Sequence, residues 1–209
     1  MPDIPPPAEH NAASSCHLAD SAVSPRLTWP IAVAAGITLA TIGVLRWKGR
    51  LWWGACGGKE LWISAVQSSH CSQHLIDPYC FTHLLHGVAL CGILAWVWRR
   101  LPTAWSLCVT LFVEAVWEIL ENSPLVIDRY RTATIALGYE GDSIVNSLGD
   151  LLCCGLGYLL ARRVGWRWSV AMFVVTEVIL AVMIRDNLSL NILMLVYPIE
   201  AVKTWQAGP

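Results

Sequence analysis

The stretch "TAWSLCVTLFVEAVWEILEN", residues 103–122, opens as a lipid-soluble helix and closes in acids. Glu114, Glu118 and Glu121 stand at i, i+4 and i+7. On an α-helix they fall within about 60° of arc, so they form one acidic face. About 20 mostly apolar residues suffice to cross a bilayer. A carboxylate near the centre of such a helix costs about 2.5–3.5 kcal/mol. Three on one face therefore call for a shared polar interior, holding water, cations, a metal or protonated partners.

The rest of the chain agrees with a bilayer. It has 209 residues, 56% of them hydrophobic and only 14% charged, with 12 tryptophans. Soluble domains are not composed this way. A formal net charge of −1 gives no bulk field for nucleic acid. Phosphate-loop, dinucleotide and zinc-finger signatures are absent. Residues 1–27 are rich in Pro, Ala and Ser without an apolar run, which predicts a disordered tail. They lack the basic-then-apolar pattern of a cleaved signal peptide, so the first membrane helix is expected to act as an uncleaved anchor.

Residues 28–206 are expected to form an all-α, polytopic transmembrane helix bundle of five to six spans. The spans read as 28–45, 80–98, 103–122, 143–161 and 168–184. A weaker sixth, 189–205, is interrupted by Pro198 and Glu200 and either spans or lies partly in the interface. Arg99 and Arg100 fill one short turn; Arg162, Arg163 and Arg167 fill another. Both turns are expected in the cytoplasm, with the N-terminus inside and the loops 46–79 and 123–142 outside. Arg46, Lys48, Arg50, Arg129 and Arg131 oppose that assignment.

This topology brings a second polar ladder opposite the first. Asp142, Asn146 and Asp150 stand at i, i+4 and i+8. Antiparallel helices would pair Glu121 with Asp142, Glu118 with Asn146 and Glu114 with Asp150. His83 and His86 occupy the first two turns of the second span, and Glu177 lies in the fifth. Arg185, Asp186, Asn187 and Asn191 mark the outer mouth. Ionisable residues within spans point by default to function, here to an outward-facing cavity lined by Glu114, Glu121, Asn146, Asp150 and Glu177. Glu118 and Asp142 are the candidates for acid/base chemistry, with His83 or His86 moving protons. A divalent metal is the cofactor such donors suit, with His83, His86, Glu118 and Asp142 as candidate ligands. Arg129 and Arg131 are candidates for holding an anionic group.

The plainer readings remain beside these. The acids would serve equally as interhelical glue, and the arginines as solvated loop charges. His70 and His74 read as surface or rim residues. Cys56 and Cys71 share a loop and would pair in an oxidising compartment, where reduced thiols are equally ordinary. Gly149, Gly155 and Gly157 would let helix backbones approach. Tryptophans near the span ends are interfacial anchors.

The stretches "RWKGRLWW", "SQHLIDPY", "FTHLLHG", "WEILEN", "RYRTATIALGYEGDSIVNSLGD", "ARRVGWRWS", "IRDNLSLN" and "YPIEAVKTWQ" resemble a bacterial inner-membrane family, uncharacterised protein family 0314. The resemblance covers about residues 46–206. It implies a multi-pass cell-membrane protein and no particular activity. The pattern of His, Glu, Arg and D-x-x-x-N-x-x-G is also similar to membrane proteins related to the teicoplanin-resistance protein VanZ. The matching positions are His83 or His86, Glu114 or Glu118, Arg129 or Arg131, Asp142, Asn146 and Gly149, while Glu121 and Asp150 depart from that pattern. Three functions stay open: a membrane-embedded enzyme or binding protein for a lipid-linked or envelope substrate, a proton- or cation-coupled transporter, and a structural or assembly factor.

Overall fold

A computed structural model describes residues 25–54, 57–134 and 138–208. The described residues form eight helices and no strand: α1 (Pro25–Trp47), α2 (Cys80–Val97), α3 (Thr103–Glu121), α4 (Pro124–Ala133), α5 (Ile144–Val164), α6 (Trp166–Ile184), α7 (Leu188–Val196) and α8 (Glu200–Ala207). Five of them, α1, α2, α3, α5 and α6, are long and apolar enough to cross a membrane. The expected sixth span is not among them. It divides into α7 and α8, of 9 and 8 residues, around Pro198. Proline disfavours helix at the residue before it, and Tyr197 leaves the helix there. The expected tail lies almost wholly in residues 1–24, outside the described ones.

Helix ends follow local chemistry. Pro124, which closes α3, opens α4 in its first turn, where its missing N–H costs nothing. The Ser123 side chain caps α4, Ser143 caps α5 and Asn187 caps α7. Gly165, at φ 81°, makes the sharp turn from α5 to α6.

Packing is tightest between α2 and α5. A Cβ added at Gly87 would lie 1.9 Å from the Cys154 carbonyl, and one at Gly157 would lie 2.0 Å from that of Leu84. Only glycine lets the two backbones meet this closely. Gly149 performs the same service against the Leu75 carbonyl, whereas Gly155 faces only ordinary contact with Leu111. Val88, Cys91, Leu94, Tyr158 and Ala161 form a packed apolar core between α2 and α5. α6 turns Val170, Val174, Val175 and Val178 outward, as a lipid-facing helix would.

The short turns make neighbouring helices antiparallel. The starts of α2 and α5 and the ends of α3 and α6 therefore share one end of the bundle. The segment 48–79, α4, α7 and α8 gather over that end. The segment also satisfies the open N-terminus of α5: Ile144 and Val145 donate to the carbonyls of Leu51 and Trp52 at 2.9 and 3.1 Å, and Ser143 donates to Ser72 at 2.9 Å.

Candidate functional site

A cavity of about 880 Å³ opens beneath these covering segments. His83 and His86 lie in its wall, one turn apart on α2, with Glu121, Asp142 and Asp150. Behind the histidines lies Glu114, buried to 1% exposure. Its carboxylate takes both rings: His83 Nδ1 lies 2.5 Å from Oε1, and His86 Nδ1 lies 3.0 Å from Oε2. The two rings meet edge to face at 5.0 Å. A carboxylate accepting from Nδ1–H fixes the tautomer and leaves Nε2 with its lone pair. His83 also has Glu118 Oε1 3.4 Å from Nδ1 and Asp150 Oδ2 4.0 Å from Nε2. Among the described residues, two groups of side chains have ligand atoms close enough for one metal ion: His83, His86 and Glu114, and His83, Glu118 and Glu121.

The two expected ladders meet, with different partners. Glu114 is taken by the histidines of α2 rather than by Asp150, because α2 lies between them. Asn146 does not pair with Glu118; its amide donates to the His74 carbonyl at 2.9 Å. Glu121 lines the cavity, as Tyr130 does. Asp142 is held at the cavity edge, accepting from Asn122 Nδ2 and the Tyr139 hydroxyl, each at 2.8 Å. Burial lifts its carboxyl above the usual carboxylate range, opposed by those two hydrogen bonds and by Arg50.

Other expected site residues lie elsewhere. Glu177 does not line the cavity. It accepts from the backbone N–H groups of Leu188 and Ser189 at 2.9 and 3.0 Å, and so caps the open first turn of α7. Arg129 donates to the Leu195 carbonyl at 2.7 Å and Arg131 to that of Tyr139 at 2.5 Å; neither lines the cavity. Both arginines pin covering segments in place. His74 is fully buried rather than a rim residue, stacked on His70 and bonded to the Glu60 carbonyl at 2.8 Å. Cys56, the expected partner of Cys71, lies outside the described residues.

The wall also holds residues that the sequence did not single out: Tyr79, Tyr130, Tyr139, Thr82 and Lys203. Burial raises all three phenols well above their ordinary range, reinforced by Asp186 at Tyr79, Glu121 at Tyr130 and Asp142 at Tyr139. They are neutral hydroxyl donors at any physiological pH. Tyr79 donates to Asp186 at 3.1 Å and Tyr130 to Asn191 at 3.0 Å. Their signal was the company they keep, since each lies in a stretch between spans whose other polar residues had already drawn notice.

A family profile described as "Protein of unknown function (DUF2585)" matches residues 45–208. A UPF0314 protein of Sphingopyxis alaskensis is 44% identical over 183 residues, 88% of this chain and 96% of its own length. The chain belongs to the UPF0314 family. A UPF0314 protein of Rhizobium johnstonii is 45% identical over 180 residues, 86% of this chain and 92% of the relative. One of Paracoccus denitrificans is 44% identical over 172 residues, 82% and 89%. The family profile spans α2 to α8 and so includes the whole cavity. No solved structure matches the chain. Bacterial relatives and five apolar helices together point to a bacterial membrane protein.

Proposed function

We propose that this UPF0314 protein is a membrane-embedded enzyme acting on the polar headgroup of a lipid-linked or other envelope substrate. The observation that carries the reading is Glu114 holding Nδ1 of both His83 and His86 at the wall of a large cavity. A buried carboxylate behind an imidazole orients the ring and stabilises its protonated form, which is what a general acid or base requires. His86 is the more accessible ring, its side chain 21% exposed. It is assigned the proton transfer, with Glu114 as the positioning residue.

The cavity volume suits a headgroup. Its wall offers hydroxyls, amides and carboxylates, with Lys203 as a cation, which favours a hydroxyl- or amine-bearing group. The short basic turns at the far end of the bundle favour a cavity facing away from the cytoplasm, in the inner membrane. Two rival readings are weaker. A transport path would have to cross the apolar core of Val88, Cys91, Leu94, Tyr158 and Ala161. Helix glue would bring its acids together with hydrogen-bond partners, yet both oxygens of the buried Glu118 lack one.

The test is turnover. Purified protein is incubated with a lipid extract of a bacterial envelope, and the species are followed by mass spectrometry. One lipid should be converted, with conversion falling at least about 100-fold in His86→Ala and in Glu114→Gln. Lipid profiles that do not differ between wild type and Glu114→Gln would overturn the assignment.

A further inference from the structure

We infer that His83, Glu118 and Glu121 bind one divalent first-row metal ion at the floor of the cavity, with Asp150 beside them. Among the described residues, the buried carboxylate oxygens without a hydrogen-bond partner are Glu118 Oε1 and Oε2, Glu121 Oε2 and Asp150 Oδ1. All belong to this one cluster. The three acids are 0%, 9% and 4% exposed, so water does not serve them freely. An unpartnered buried carboxylate oxygen is expensive. Several gathered around one imidazole are dearer still. A dication removes that cost at a stroke.

The geometry is close to what an ion needs. Ligand atoms of His83, Glu118 and Glu121 lie within 4.8 Å of one another. Two metal–ligand bonds of about 2.1 Å place two ligands of one ion at most about 4.2 Å apart. His83 Nε2, 4.0 Å from Asp150 Oδ2, already falls within that span. Glu114 supplies the outer support that metal-binding histidines have, a carboxylate on the opposite ring nitrogen. The alternative group, His83 with His86 and Glu114, is less suited, because Glu114 is occupied by the two Nδ1 atoms. One imidazole among several carboxylates favours Zn²⁺ or Mn²⁺ over soft ions.

The site does not depend on the turnover reading, because it is read by binding alone. Detergent-purified full-length protein is stripped with a chelator, titrated with ZnCl₂ or MnCl₂, desalted and analysed for metal by mass spectrometry. Wild type should retain about one equivalent, and should unfold at a higher temperature with the metal than without it. Glu118→Gln and His83→Gln should each lower affinity at least about 100-fold, and Glu114→Gln about 10–100-fold. His86→Ala should keep the full equivalent while losing turnover. Size-exclusion profiles check each variant, and Glu121→Gln stands in for any that fails to fold. Wild type without stoichiometric metal or thermal shift would overturn the inference and assign the oxygens to protonated acids. Full binding by Glu118→Gln would also overturn it. In either case loss of turnover in His86→Ala would still stand as evidence for the enzyme.

Discussion

The two ends of this bundle use the same helices under opposite rules. Toward the short turns, α2 and α5 pack through Gly87, Gly157 and a core of Val88, Cys91, Leu94, Tyr158 and Ala161. Toward the loops, the same helices bury His83, Glu114, Glu118, Asn146 and Asp150. Basic residues divide in the same way. Arg99, Arg100, Arg162, Arg163 and Arg167 at the turns are exposed. At the loop end Arg50, Arg129 and Arg131 are committed to backbone carbonyls of Asp142, Leu195 and Tyr139. Lys48 likewise donates to the Ile119 carbonyl at the end of α3. An arginine in a turn orients a chain in a membrane, whereas an arginine bound to carbonyls fastens a loop. The apolar end gives the close packing against which the polar end is held.

The strongest way to break that comparison is to attack the rigid end. A Cβ at Gly157 would sit 2.0 Å from the Leu84 carbonyl, and backbone cannot yield as a side chain can. Gly157→Val should therefore abolish a monodisperse folded protein, or lower Tm by more than about 10 °C. Gly155→Ala, whose Cβ would lie 3.4 Å from Leu111, is the matched control and should stay close to wild type. Intrinsic tryptophan fluorescence during heating reads both. A Gly157→Val protein that melts with wild type would mean that α2 and α5 are not locked together.

The loop end should instead be sensitive to protons. Asp186 joins the covering helices to the bundle, accepting from Tyr79, Asn187 and Gln206. Burial raises its carboxyl from 3.8 to about 6, with Glu177 adding repulsion and the bonds from Asn187, Tyr79 and Asn191 opposing. An acid with a raised pKa binds its proton more tightly when folded. Its contribution is thus fully present below about 4 and is lost as pH rises through about 6. A shift of this size corresponds to about 3 kcal/mol. Hydrogen exchange in α7 and α8, corrected for intrinsic rate, should show more protection at acid pH than at neutral pH. Asp186→Asn should flatten that difference. Equal corrected protection in wild type at both pH values would remove Asp186 as the source.

The fold was legible wherever periodicity and length speak. Five spans could be read because apolar runs of membrane length leave little else to form. The sixth misled because Pro198 and Glu200 interrupt a run that is apolar enough on either side. The acidic face of α3 could be read from spacing alone. Its partners could not, since pairing Glu114 with Asp150 assumed two facing helices, and α2 places the His83 ring between them. The functions of Glu177, Arg129 and Arg131 were hidden for a related reason. Glu177 and Arg129 satisfy backbone groups at the ends of α7, and Arg131 a carbonyl of the loop before α5, and no local pattern reports where those groups will lie.

Arg129 offers the smallest and sharpest test of the division between the ends. Its guanidinium donates to the Leu195 and Val196 carbonyls at 2.7 and 3.3 Å, where α7 ends and has no further helical donors. As a fastener it contributes through charge-assisted bonds at a partly exposed site, on the order of 1 kcal/mol. Arg129→Ala should lower Tm by about 2–4 °C, and by the same amount whether inorganic phosphate is present or absent. Arg129→Lys should recover only part of the loss, since an ammonium lacks the planar fork that reaches two carbonyls. If added phosphate stabilised wild type but not Arg129→Ala, the side chain would be an anion ligand after all. The loop-end arginines would then belong to the site rather than to its cover.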